Sequence, residues 1–168
     1  MDKSLVRSTV ADIQTIESRG PWTTKSNGEL MVLFALNYVD LQKFFSYDED
    51  ELKRIPEDLR GFRIYTVRNL PKPEIGGGEF HRIRQELVFG LEGSVNWSCQ
   101  DVYGQSREFV ITPEIGVWVP PFILHTYQVR EKNSGLLVIA NTLYNHDDSR
   151  THDTYGLNKF RELKKQYQ

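Results

Sequence analysis

The chain has 168 residues, enough for one domain with a substantial core, and a formal net charge of −2 with a pI near 6.1. That balance excludes the basic stripe of a nucleic-acid-binding surface. A lone cysteine, Cys99, excludes an intrachain disulfide and fits a reducing compartment, and no apolar run reaches membrane-span length.

The opening MDKSLVRSTVADIQTIES has no apolar core of signal-peptide length, so the chain is predicted to be soluble and cytoplasmic, with no membrane partner. Residues 1–25 read as a lead-in, with Val6, Val10, Ile13 and Ile16 as spaced apolars before the Arg19-Gly20-Pro21 break. Gly28 to Phe34 predicts a first strand. In residues 40–60, Ser46 precedes an acidic turn at Asp48–Glu51, with Lys53 and Arg54 beyond it. This order predicts a helix start at Ser46 that Pro56 ends or interrupts. The segment has too few apolars for its own core, so it is a helical insertion within a single domain over 1–168.

Gly61 to Val67 is β-branched and aromatic and predicts a strand, broken by Pro71, Lys72 and Pro73. A flexible glycine run, Gly76–Gly78, then leads into a strand carrying Glu79 and His81. Leu87 to Leu91 predicts a buried strand, and Val95, Trp97 and Cys99 alternate with polar residues as a half-buried one. The turn at Val102–Gln105 returns the chain along Arg107–Ile111, and Leu136–Ala140 is a further buried strand. From Tyr144 a polar loop holds His146 and His152 with Asp147, Asp148 and Asp153; the two histidines are predicted to face water, with metal or phosphate binding there as the alternative. Leu157, Phe160 and Leu163 then mark an amphipathic helix over 155–168. Many short strands with frequent turns predict a mainly β sandwich or small barrel.

Glu79 and His81, two apart on a strand, project to one face, where a carboxylate and an imidazole can share a proton or hold a cation. In the second segment, Glu114 to His125, a short apolar strand and a Pro120-Pro121 turn precede His125. His125 shares its parity with Tyr127 and Val129, which places it on the inward side of its strand. The spacing Glu79-x-His81, four residues, Glu86, six residues, Gly93 resembles the first cupin motif. Pro120, then Phe122 in place of a glycine, then His125 resembles the second.

The run from about Asn27 to Lys164 resembles the sugar 3,4-ketoisomerases, also described as the WxcM-like C-terminal domain. Gly28-Glu29-Leu30, Arg63-Ile64-Tyr65, Phe80-His81-Arg82, Leu91-Glu92-Gly93-Ser94, Pro120-Pro121 with His125, and Leu136–Ala140 followed by Tyr144 carry the resemblance. The chain departs from the family pattern at Asn27, Gly76, Glu79, Arg82, Glu86 and Leu124. The resemblance implies a cupin double-stranded β-helix, a homodimer, no required metal, and a nucleotide-linked 4-keto-6-deoxy sugar as substrate. His81 is then the acid/base, with Glu79 holding its tautomer or exchanging protons directly. His125 or Tyr65 protonates the far side, and Arg63 and Arg82 clamp the enediolate or diphosphate, with Tyr127, Trp118, Tyr65 and Trp97 as stacking surfaces, Trp97 reading first as barrel core. Two other readings stay open: a divalent metal held by Glu79, His81, Glu86 and His125, and a non-catalytic barrel that binds a nucleotide sugar or another small ligand.

Overall fold

The computed structural model describes residues 7–72 and 74–167, so Val6, Pro73 and the last residue of the C-terminal segment lie outside it. In chain order its strands are β1 (Gln14–Glu17), β2 (Arg19–Thr23), β3 (Glu29–Val32), β4 (Arg60–Leu70), β5 (Ile75–Phe80) and β6 (Glu86–Glu92). They continue with β7 (Val95–Gln100), β8 (Ser106–Ile111), β9 (Ile115–Val119), β10 (Leu124–Val129), β11 (Ser134–Thr142) and β12 (Tyr155–Gly156). The helices are α1 (Tyr38–Phe44), α2 (Glu49–Leu52) and α3 (Leu157–Lys164).

Two five-stranded antiparallel sheets face each other, in the orders β1-β9-β6-β11-β4 and β12-β5-β10-β7-β8. This is the double-stranded β-helix that the motif spacing implied. Sequential strands cross between the sheets, so the two motif segments end as neighbours across one interior. Among the described residues no helix is long and apolar enough to cross a membrane.

The period-2 pattern decides which side chains fill the barrel. Val95, Trp97 and Cys99 of β7 point inward with Val88, Val117, Val119, Val129, Leu136 and Val138. The first sheet is also covered outside: Leu87, Phe89, Trp118 and Ile139 pack against Phe44 of α1 and the Leu33–Leu36 approach to it. Covering both faces explains why β6 and β11 read as continuous apolar runs.

Several expectations need correction. The predicted lead-in is part of the fold, because β1 pairs with β9 and closes the first sheet, with Val10 and Ile13 in the interior core. The predicted first strand is β3, and it pairs only with β2 in a separate two-stranded ribbon. Helix α2 starts at Asp48 rather than Ser46: the Asp48 carboxylate accepts from Asp50 N at 2.9 Å and Glu51 N at 3.0 Å. Ser46 instead donates to Lys43 O at 2.7 Å, at the end of α1, whose own cap is Asn37.

The glycine run is strand, not a flexible leader. A Cβ on Gly76 would collide with the Tyr127 ring, and Gly77 adopts φ +75° where β5 slips register against β10. At the far end α3 begins only after Tyr155 and Gly156 have paired with Phe80 and Glu79. Phe160 of α3 then seals the barrel against Phe80, ring centres 5.3 Å apart, while Leu157 stays exposed.

Candidate active site

The site is built on the turn between β5 and β6. Asp153, 2% exposed, accepts from the backbone N–H groups of Arg82 (3.0 Å), Ile83 (2.9 Å) and Arg84 (2.8 Å). Its own carbonyl oxygen lies 2.6 Å from His81 Nδ1. A carbonyl can only accept, so Nδ1 carries a proton and donates, which leaves Nε2 as the nitrogen that faces the centre. That Nε2 is buried and has no hydrogen-bond partner among the described residues. It faces Glu86 Oε2 at 3.5 Å.

Glu86 opens β6 and takes charge from every side. Its Oε1 accepts from Arg84 Nη1 and from Tyr65 O–H, both at 3.0 Å, and its Oε2 lies 3.8 Å from His125 Nε2. Burial alone would raise this carboxyl; His81, Arg84 and His125 outweigh it and hold Glu86 well below the usual carboxylate range. Tyr65 moves the other way. Burial first, then the Glu86 carboxylate, push its phenol up, so it stays a proton donor.

His125, on β10, donates from Nδ1 to Ile123 O at 3.2 Å and stacks on Trp97, ring centres 5.2 Å apart and 10° from parallel. Burial pulls its pKa down to about 4 against the attraction of Glu86, so it is neutral near pH 7. Glu79 lies directly across from His125 in the β5–β10 register. Ligand atoms of Glu79, His81 and His125 all lie within 4.8 Å of one another. Tyr127, next along β10, stacks on Trp97 at 6.1 Å, which continues an aromatic column from His125.

Phe122 explains the glycine expected at its place in the second motif. Its φ is +66°, a region that costs a non-glycine residue about 1–3 kcal/mol. What holds it there is an N–H bond to His81 O at 2.7 Å and stacking of the Arg7 guanidinium 4.0 Å over its ring.

Beside Glu86 a cleft of about 420 Å3 opens between Arg63, Tyr65, Arg84, Tyr144 and Thr154. Arg84, 6% exposed, reaches Thr154 Oγ1 at 2.6 Å and Asp153 O at 3.3 Å, with Nη2 2.9 Å from His81 Nδ1. Arg63 donates to Thr142 O at 2.6 Å and lies 5.4 Å from both the Tyr65 and Tyr144 rings.

Seven of the predicted residues therefore gather: Glu79, His81, Glu86, His125 and Tyr65 around one centre, Arg63 on its cleft and Tyr127 on its aromatic column. Two do not. Arg82 points out of the barrel and forms a two-pronged pair with Glu51, Nε–Oε2 2.6 Å and Nη2–Oε1 2.9 Å, on the far side of the turn. Trp118 sits on the outer face of β9, where Nε1 donates to Gln85 Oε1 at 2.8 Å and the ring meets Phe44 edge-on. The aromatic surface beside the histidines is Trp97.

Arg84 and Asp153 were missed. Arg84 shares parity with Glu86 two residues on, the same spacing that pairs Glu79 with His81. Asp153, in the polar loop after Tyr144, is buried. His152 too has partners, stacking on Tyr144 with centres 4.8 Å apart.

The sequence matches the family described as FdtA: WxcM-like, C-terminal, over residues 38–159. Comparison with curated protein sequences returns no match. Among solved structures, the 3,4-ketoisomerase QdtA from Thermoanaerobacterium thermosaccharolyticum, crystallised with TDP-4-keto-6-deoxyglucose, superposes with TM-score 0.64 at 18% identity, covering 95% of this chain and 99% of that one. WlaRA, a TDP-fucose-3,4-ketoisomerase from Campylobacter jejuni, gives 0.61 at 17%, covering 91% and 96%. The dTDP-4-dehydrorhamnose 3,5-epimerase of Bacillus anthracis gives 0.62 at 13%, covering 90% and 81%. These likenesses carry the fold, and the sequence match over most of the chain carries the family: the chain belongs to the WxcM-like C-terminal family, on a cupin barrel.

Proposed function

We propose that the protein is a sugar ketoisomerase acting on a nucleotide-linked 4-keto-6-deoxyhexose. The observation that carries this reading is His81: its Nδ1 proton is fixed on the Asp153 carbonyl, and its buried Nε2, without a hydrogen-bond partner among the described residues, faces the centre shared with Glu86, Glu79 and His125. Moving a carbonyl between neighbouring carbons needs a base within reach of both, and a donor for the oxyanion formed between. His81 Nε2 takes the proton from C3, and the electron pair moves into a 3,4-enediolate. The proton returns at C4 while the 3-hydroxyl proton passes to the C4 oxygen, so the carbonyl ends at C3. Tyr65, kept protonated, donates to the enediolate oxygen, and neutral His125 lines the opposite wall. The tautomer-holding role expected of Glu79 falls to the Asp153 carbonyl, which leaves Glu79 to exchange protons with His81. Glu86 stays ionised and stabilises the imidazolium as it forms.

The test is proton NMR of dTDP-4-keto-6-deoxyglucose with the protein in D2O, with and without EDTA. The expected result is deuterium at C3 and new 3-keto signals, insensitive to EDTA. His81→Asn is expected to cut the rate by at least about a hundredfold. No exchange with the folded protein excludes this reaction on this substrate.

One observation favours a second, metal-dependent reading. Both histidines donate from Nδ1 to a backbone carbonyl and present Nε2 to the centre, as metal-bound histidines do. With Glu79 they offer two imidazole nitrogens and a carboxylate, a set that suits a divalent cation acting as Lewis acid on a carbonyl. Glu86 lies beside this set, with Oε1 taken by Arg84 and Tyr65 and Oε2 facing both histidines. Loss of exchange in EDTA, restored by a divalent metal, would select this reading.

A further inference from the structure

The turn that carries His81 is held by two segments distant in sequence. Asp153 binds three of its N–H groups, and α2 meets it as well. Leu52 of α2 packs with Ile83 in a small apolar cluster, and Glu51, its neighbour, receives Arg82. Glu51 is 2% exposed and binds two guanidiniums at once. Its Oε1 accepts from Arg7 Nη2 at 3.0 Å and from Arg82 Nη2 at 2.9 Å, and its Oε2 accepts from Arg82 Nε at 2.6 Å. Arg82 pairs with no other carboxylate among the described residues. A carboxylate so deeply buried is stable only with such partners, and it fixes their place in return.

Both guanidiniums lie against one ring. That of Arg7 is 4.0 Å from the centre of the Phe122 ring and that of Arg82 is 5.8 Å from it. Phe122 in turn binds the backbone of the histidine: its N–H donates to His81 O at 2.7 Å, from a φ of +66° that favours glycine. The peptide bond between His81 and Arg82 thus has its oxygen on Phe122 and its N–H on Asp153. We propose that Glu51 is a positioning residue, which fixes this peptide through Arg82 and Phe122 and so aims the His81 ring. Phenylalanine at 122 and the carboxylate from the 40–60 insertion then form one device, in which the second compensates the first. The assignment rests on His81 being the base proposed above, and not on the identity of the sugar.

The test is 15N–1H NMR of the histidine rings in the full chain, with His81 assigned by His81→Asn, beside kinetics on dTDP-4-keto-6-deoxyglucose. The native His81 ring is expected to give one sharp Nδ1–H signal, protected from solvent by its bond to Asp153 O. Glu51→Gln is expected to broaden or abolish that signal, and to cut kcat about ten- to a hundredfold with KM little changed. Val88→Ala, in the interior core, serves as the control, since it lowers the thermal midpoint and leaves the signal intact. A folded Glu51→Gln protein that behaves like this control overturns the proposal. Arg7→Lys keeps a charge for Glu51 but loses the flat face on Phe122, and is expected to disturb the signal in the same way. It decides the matter where Glu51→Gln does not fold, and an intact signal there overturns the proposal. Phe122→Gly supplies the residue that φ +66° favours, so Glu51→Gln is expected to have a smaller effect in that background. An undiminished effect overturns the route through Phe122. The positioning role and the isomerase reading fail separately. Isomerisation with signal and kcat indifferent to Glu51 removes the positioning role alone, and a signal that responds to Glu51 in a protein without isomerisation removes the isomerase alone.

Discussion

Along β6, Glu86 and Val88 point into the same interior two residues apart and meet opposite surroundings. Glu86 lies among two histidines, a tyrosine and an arginine, whereas Val88 lies among Val117, Leu136 and Val138. The neighbouring strands change in step: β4 runs from Arg63 through Tyr65 to Val67, and β10 from His125 through Tyr127 to Val129. One step along each strand separates a charged half from a dry half. The dry half needs only shape and apolar area, while each group in the charged half depends on a named partner, so the two halves should fail in different ways.

The largest expected effect comes from unbalancing the charged half. Glu86→Leu leaves Arg84 buried without its carboxylate and is expected to cost about 3–5 kcal/mol in urea denaturation. The double variant Arg84→Met/Glu86→Leu is expected to recover most of that loss. Equal loss in the double variant would mean that the pair itself contributes net stability.

Acid sharpens the contrast without mutation. His125 titrates near 4 in the folded chain against its ordinary 6.5, so in that interval the unfolded chain binds a proton that the folded chain refuses. Stability therefore falls as pH drops from 6.5 towards 4, by about 3 kcal/mol in all. Glu86, held below its ordinary 4.5, extends the loss to lower pH because the unfolded carboxyl protonates first. Urea midpoints at pH 7 and pH 5 measure the slope, and His125→Asn should flatten it. The smallest effect belongs to the dry half: Val88→Ala is expected to cost about 2 kcal/mol, the same at both pH values.

The sequence showed the dry half better than the charged one. Alternation at Val95, Trp97 and Cys99 reports a face directly, because half of that strand meets water. It fails at Trp118, since helix α1 covers the outside of β9 and both faces are apolar, so hydrophobicity no longer distinguishes inside from out. Motif spacing brought Glu79, His81, Glu86 and His125 together because strand parity is local. Adjacency misled at Arg82, which follows His81 and for that reason points the other way, to Glu51. Asp153 left no local sign: its partners are backbone amides of a distant turn, and backbone donors are the same in every sequence.

The Asp153 contact also bears on how the chain is made. Its partner Ile83 lies 70 residues earlier, so several seconds of synthesis, at about 5–20 residues per second, pass between the appearance of the His81 turn and that of the residue which holds it. Until the last loop emerges, the two sheets can close over their valines while His81 has no floor beneath it. The barrel can thus be nearly complete before the centre around His81 takes shape, and the segment that follows β11 sets a late step of assembly.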